Sequence, residues 1–148
     1  MKSLLFALSA LLVLTTSCNQ TTDNKNLIDN IWILDGTRYK VAEITRNDTA
    51  NAISVVDLYS NGINFYFGKL PMASGDYSIV RTPQQPNELA IFAVKQDSTR
   101  VYASNVDNKT ASITVDGGKI RIKTDKITVE NVNQPGDKIE LQITISEK

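Results

Sequence analysis

Asp48, Asp57, Asp76 and Asp116 are the side chains best suited to acid–base work in this chain, because it contains no histidine. The lack of histidine excludes a Ser-His-Asp triad, a Cys-His dyad and every zinc site that needs an imidazole. A hydrolase could still run on two carboxylates facing each other across a cleft. Most of these aspartates stand beside turn signals, however, where aspartate is explained by hydrogen bonds to its own backbone. Asp116-Gly117-Gly118 has the look of an oxygen-rich loop but lacks the further carboxylates of a calcium site, so it reads as a hairpin turn. The expectation is therefore no catalytic set, no metal and no cofactor.

Binding chemistry has more to work with. Tyr59 and Tyr66 flank the aromatic run Phe65-Tyr66-Phe67, and an exposed Tyr66 near Tyr59 would offer a surface on which a sugar ring can stack. Lys119, Arg121 and Lys123 alternate with Ile120 and Ile122. They form either a patch for an anionic ligand or the solvated face of a strand, paired with Glu130 or Glu140 across the sheet. Sixteen Lys+Arg balance sixteen Asp+Glu without charge blocks, which argues against a nucleic-acid partner.

The elements that must position these residues have a period of two. Ile31–Leu34, Ala52–Tyr59, Ile63–Phe67, Tyr77–Val80, Leu89–Val94, Thr99–Ala103, Ala111–Val115 and Ile139–Ile145 read as strands. Thr37–Ile44 reads as one further β-rich run with Tyr39 and Val41 on one face. Lys119–Lys123 and Ile127–Val132 read as two strands with a turn at Asp125-Lys126. Asp35-Gly36, Asn61-Gly62 and Gln134-Pro135-Gly136-Asp137 are turn signals, and Pro83 and Pro86 keep residues 82–87 out of a central strand. About ten short strands with alternating polarity predict an all-β, antiparallel domain over residues 27–148. The expected architecture is a two-sheet sandwich, Ig-like or jelly-roll-like. The alternative is an up-and-down barrel of the lipocalin kind, suggested by Trp32 near the first strand, although the usual Gly-x-Trp is replaced by Asn30-Ile31-Trp32. Trp32 itself is expected in the core.

The N-terminus carries a different signal. Lys2 precedes the uncharged run Leu4–Leu14, which has the length of a signal-peptide hydrophobic region and is too short to span a bilayer. Small residues Thr15, Thr16 and Ser17 follow, then Cys18, the sole cysteine. This stretch resembles a bacterial lipoprotein precursor. In that family a box of the form Leu-Ala/Ser-Gly/Ala/Ser-Cys is cut before the cysteine, which is acylated. Ser17-Cys18 fills its last two places, and Thr15 stands where leucine is usual. The resemblance implies a signal peptide over 1–17, acyl chains such as palmitate on Cys18, and a polar tether over 18–26. It places the protein in the cell envelope, on the periplasmic or surface leaflet of an outer membrane. Two or three acyl chains exceed the reversible hold of a single one.

Asp48-Thr49-Ala50 resembles the Asp-Ser/Thr-aliphatic O-glycosylation site of exported proteins in Bacteroidetes-type bacteria, which makes Thr49 an expected glycan acceptor. Ile63–Phe67, the Leu70-Pro71…Gly75-Asp76-Tyr77 step and the Ile113–Ile120 hairpin are similar to small all-β lipoproteins of that type. That likeness implies a sandwich and an envelope location, and no activity. Together these readings give a membrane-tethered, non-catalytic module whose partner is a glycan or an envelope protein. The alternative is a carrier of a small apolar ligand.

Overall fold

The computed structural model describes residues 30–96, 100–104 and 109–148. Cys18 and the expected signal peptide and tether lie outside the described residues. The described chain is all-β with no helix, and so holds no helix long and apolar enough to cross a membrane.

The strands are β1 (Ile31–Leu34), β2 (Thr37–Lys40), β3 (Glu43–Asn47), β4 (Ala52–Val56), β5 (Gly62–Phe67), β6 (Gly75–Ile79), β7 (Glu88–Lys95), β8 (Arg100–Ser104), β9 (Thr110–Asp116), β10 (Lys119–Asn131) and β11 (Lys138–Ser146). Alternation puts every second residue inside. Trp32 and Leu34 of β1, Ile63, Phe65 and Phe67 of β5, and Leu141, Ile143 and Ile145 of β11 all join one buried cluster. Trp32 is 1% exposed and stacks on its cross-strand partner Tyr39, ring centroids 5.3 Å apart and planes 8° from parallel, so its role is the core anchor expected of it. Asp35 and Gly36, and Gly117 and Gly118, all have positive φ, as two-residue hairpin turns require.

All eleven strands belong to one hydrogen-bonded sheet in the order β2-β1-β11-β10-β9-β6-β7-β5-β4-β3. The order is not that of an up-and-down meander: β1 lies against β11, β5 against β7, and β6 runs parallel to β7. β8 stands off this path and joins β7 to β10. On one edge β7 pairs first with β6, at Glu88 and Leu89, and then with β8, from Phe92 to Lys95. β10 likewise pairs with β9 up to Thr124 and with β8 from Val129. The pairings therefore close a ring through β7, β6, β9, β10 and β8.

Two side chains fill gaps in the ladders, one where β7 passes from β6 to β8 and one at the register shift between β10 and β11. Ser104 Oγ accepts the Ile91 N–H at 3.2 Å, and Thr124 Oγ1 accepts the Ile143 N–H at 3.1 Å; both oxygens are on buried residues.

Two expected elements take a different form. Lys119–Asn131 is one strand of 13 residues, and the register with β11 shifts between Thr124 and Ile127. Asp125-Lys126 is a bulge, both residues facing solvent, and not a turn. The run from Thr37 to Ile44 is broken at Val41-Ala42 into β2 and β3, which stand at opposite ends of the sheet.

Candidate functional site

The break at Val41-Ala42 builds the candidate site. A link of two residues joins the first and last strands of the sheet, so the sheet must roll until its two ends meet. Val41 N–H donates to the Asn30 carbonyl at 2.9 Å, on the β1 side. Ala42 N–H donates to the Val56 carbonyl at 2.8 Å, on the β4 side. Past this corner no ladder joins β2 to β3, and a groove of about 710 Å³ opens between them.

Its apolar wall is Val41, Ala42 and Ile44, with Ile44 packed on the core. Lys40, Arg46, Lys119 and Lys148 supply positive charge, and Glu147 the one carboxylate side chain. Arg46 is fixed by three partners: Nε lies 2.7 Å from Asp48 Oδ1, Nη1 donates to the Gly118 carbonyl at 3.2 Å, and Nη1 stands 3.8 Å from Glu147 Oε2. Glu147 Oε2 also accepts the Ile120 N–H at 2.7 Å. At the other end Asn30 continues the ladder with its side chain, donating to the Ser146 carbonyl at 2.9 Å and accepting the Ser146 N–H at 2.7 Å. Among the described residues Lys40, Lys119 and Lys148 have no ion pair. Such a site attracts anions and offers an apolar surface beside them.

Of the side chains singled out in the sequence for binding or acid–base chemistry, Lys119 alone lines this groove. Arg121 and Lys123 continue outward along β10 from it and, among the described residues, pair with neither Glu130 nor Glu140; Glu140 is 2.9 Å from Lys126 instead. Tyr59 and Tyr66 are not neighbours. Tyr66 sits opposite Ala52, at one end of the β4–β5 pair, edge-on to Phe92 with centroids 5.7 Å apart. Tyr59 lies in the loop beyond the other end, 80% exposed. The expected joint stacking surface does not form, because the four strand steps from Gly62 to Tyr66 span about 13 Å and Tyr59 lies beyond the Gly62 end.

The carboxylates are not brought together either. Asp48 is at the β3–β4 turn with Arg46, Asp76 is in β6, and Asp116 ends β9. Asp57 is a buttress: Oδ1 accepts the N–H groups of Tyr59 at 2.8 Å and Asn61 at 2.9 Å, and Oδ2 accepts from Asn61 Nδ2 at 2.9 Å. Among the described residues no group of three or more Asp, Glu, His or Cys is placed to hold a metal. Asp48-Thr49-Ala50 forms the exposed tip of the β3–β4 hairpin, held by the Ala50 N–H to Asn47 Oδ1 bond at 2.9 Å.

The sequence reading missed Val41, Ile44, Arg46 and Glu147. One signal was present. Apolar residues fall on odd positions at Tyr39 and Val41, then on an even one at Ile44, and this change of phase marks the break.

Outside the groove, Glu88 holds the proline loop. Its Oε2 accepts the N–H groups of Gln84 at 2.7 Å and Gln85 at 3.0 Å, and these bonds keep its carboxyl below the usual range. Burial pushes the Tyr77 hydroxyl up.

Compared with known protein families, with curated proteins and with solved structures, the chain matches none.

Proposed function

We propose that this protein is a non-catalytic binding module of the cell envelope, tethered through an acylated Cys18, and that the groove at the meeting ends of the sheet is its ligand site. The observation that carries the reading is the pairing of an apolar wall with a pre-set Arg46 and three lysines that have no counter-ion among the described residues. A small anionic ligand with an apolar part suits both walls: an acidic sugar, the carboxylate end of a partner's peptide, or an acyl carboxylate. The last of these is the carrier alternative, and Ile44, which reaches the core, is what favours it. Thr49, at an exposed hairpin tip, is the proposed glycan acceptor. We further take the two halves of the sheet, which share one core, as the layers of a sandwich.

The test is calorimetric titration with acidic glycans, neutral glycans and fatty acids. Acidic glycans or fatty acids should bind, and Arg46→Ala should weaken the binding about tenfold through loss of a charge-assisted hydrogen bond. Binding that ignores Arg46→Ala, or that favours neutral glycans, would sink the groove as the site.

A further inference from the structure

The loop between β4 and β5 holds two large apolar side chains out in water: Leu58 is 85% exposed and Tyr59 80%. This is not slack chain. Asp57 ties the loop at three points, its N–H donates to the Asn61 carbonyl at 2.9 Å, and Ser60 is held at φ 63°. A rigid loop that presents Leu and Tyr pays little entropy when they are covered.

The loop's place in the fold says what covers them. It leaves β4 at Val56, whose carbonyl binds Ala42. Val41, the next residue back, binds Asn30, where the described chain begins. Asn30 binds Ser146, which is in register with Arg121. The apolar tip, the groove and the cations Lys40, Lys119 and Arg121 therefore share the side of the molecule at which the chain arrives from Cys18. None of these three cations has an ion pair among the described residues. Asp116, in register with Lys119, forms no ion pair with it among the described residues.

From this juxtaposition we infer that this side docks flat on an anionic lipid surface. Leu58 and Tyr59 enter the headgroup layer, the cations meet lipid phosphates, and the groove opens toward the headgroups. Tyrosine suits that depth because its ring is apolar and its hydroxyl stays wet. The orientation rests on the proposed tether at Cys18. The docking chemistry does not.

The experiment uses residues 18–148 carrying Cys18→Ser, so that neither an acyl chain nor the apolar run Leu4–Leu14 contributes, with Tyr59→Trp as an optical probe. Trp32 is buried and gives a constant background. Vesicles of phosphatidylcholine alone are compared with vesicles that also contain phosphatidylglycerol. Emission from position 59 should shift to the blue with the anionic vesicles only, and the shift should fade as salt rises. Leu58→Ser combined with Arg121→Glu, on the same background, should lower sedimentation with anionic vesicles about tenfold. Met72→Ser, at an exposed apolar side chain beyond the far end of β5, should leave both readouts unchanged, and calorimetric titration with acidic glycans in the absence of vesicles reports separately on the groove. No shift, an equal shift with both vesicles, or a larger shift with a soluble acidic polysaccharide would each overturn the inference.

Discussion

Glu88 shows how one side chain can organise a segment that has no secondary structure. Its carboxylate caps two amides of the proline loop, and those bonds lower its pKa. A lowered carboxyl pKa means the folded state holds its proton less readily than the unfolded chain. The loop's hold is thus complete above the ordinary carboxylate range and is lost as pH falls through the lower, folded value. Protection of the Gln84 and Gln85 amides, taken relative to their intrinsic exchange rates at each pH, should therefore fall on acidification, and Glu88→Gln should leave it low at neutral pH and nearly flat with pH. Unchanged protection in the variant would show that the prolines alone set the loop. At this scale the sequence was partly legible. Trp32 could be placed because a lone tryptophan in an apolar run has few places to go. The buttressing role of Asp57 rests on bonds to Tyr59 and Asn61 whose geometry no spacing reveals. Arg46 was invisible because its partners Gly118 and Glu147 are far away in sequence.

At the scale of elements, alternation located most strands and turns, since a half-buried strand must alternate. It failed where the backbone changes direction without a glycine or proline. β2 and β3 part at Val41-Ala42, and β10 bulges at Asp125-Lys126; both sites are marked only by a phase change in polarity. One glycine carries a constraint that its sequence context hides. Gly68 follows β5 where the proline loop crosses, and its N–H donates to the Glu88 carbonyl at 3.1 Å. A Cβ at this position would fall on the Gln85 carbonyl, which is backbone and cannot swing aside. Gly68→Ala should cost about 2 kcal/mol in urea unfolding, in the range of an overpacked site. Gly75, whose Cβ would meet nothing, is the matched control and should tolerate alanine far better. Equal losses at both positions would remove close approach as the reason for Gly68.

For the whole molecule, the all-β class was legible and the strand order was not. Strand order depends on which distant edges meet, and the pairings β1–β11, β6–β9 and β8–β10 leave no local mark. The proposed tether belongs to this scale as well, because it would decide where the domain works. If Cys18 is acylated, Cys18→Ala should move the protein from the membrane fraction to the soluble fraction, and labelling with a clickable palmitate should vanish. Retention of label in the variant would refute the anchor.

The Asn30–Ser146 pairing has a consequence for how this chain could be rewired. It brings the first described strand and the last together, side chain to backbone, at 2.7 and 2.9 Å. The outer ends of the first and last described strands are therefore spatial neighbours, and a short Gly-Ser bridge could join them. A circular permutant closed there and reopened between Met72 and Ala73, both exposed in the β5–β6 loop, would keep every strand pairing intact. It should give the parent's circular dichroism and nearly the parent's melting temperature. Such a permutant would move the proposed lipid attachment point to a different face, so that the side turned toward a membrane becomes a matter of choice and not of inheritance.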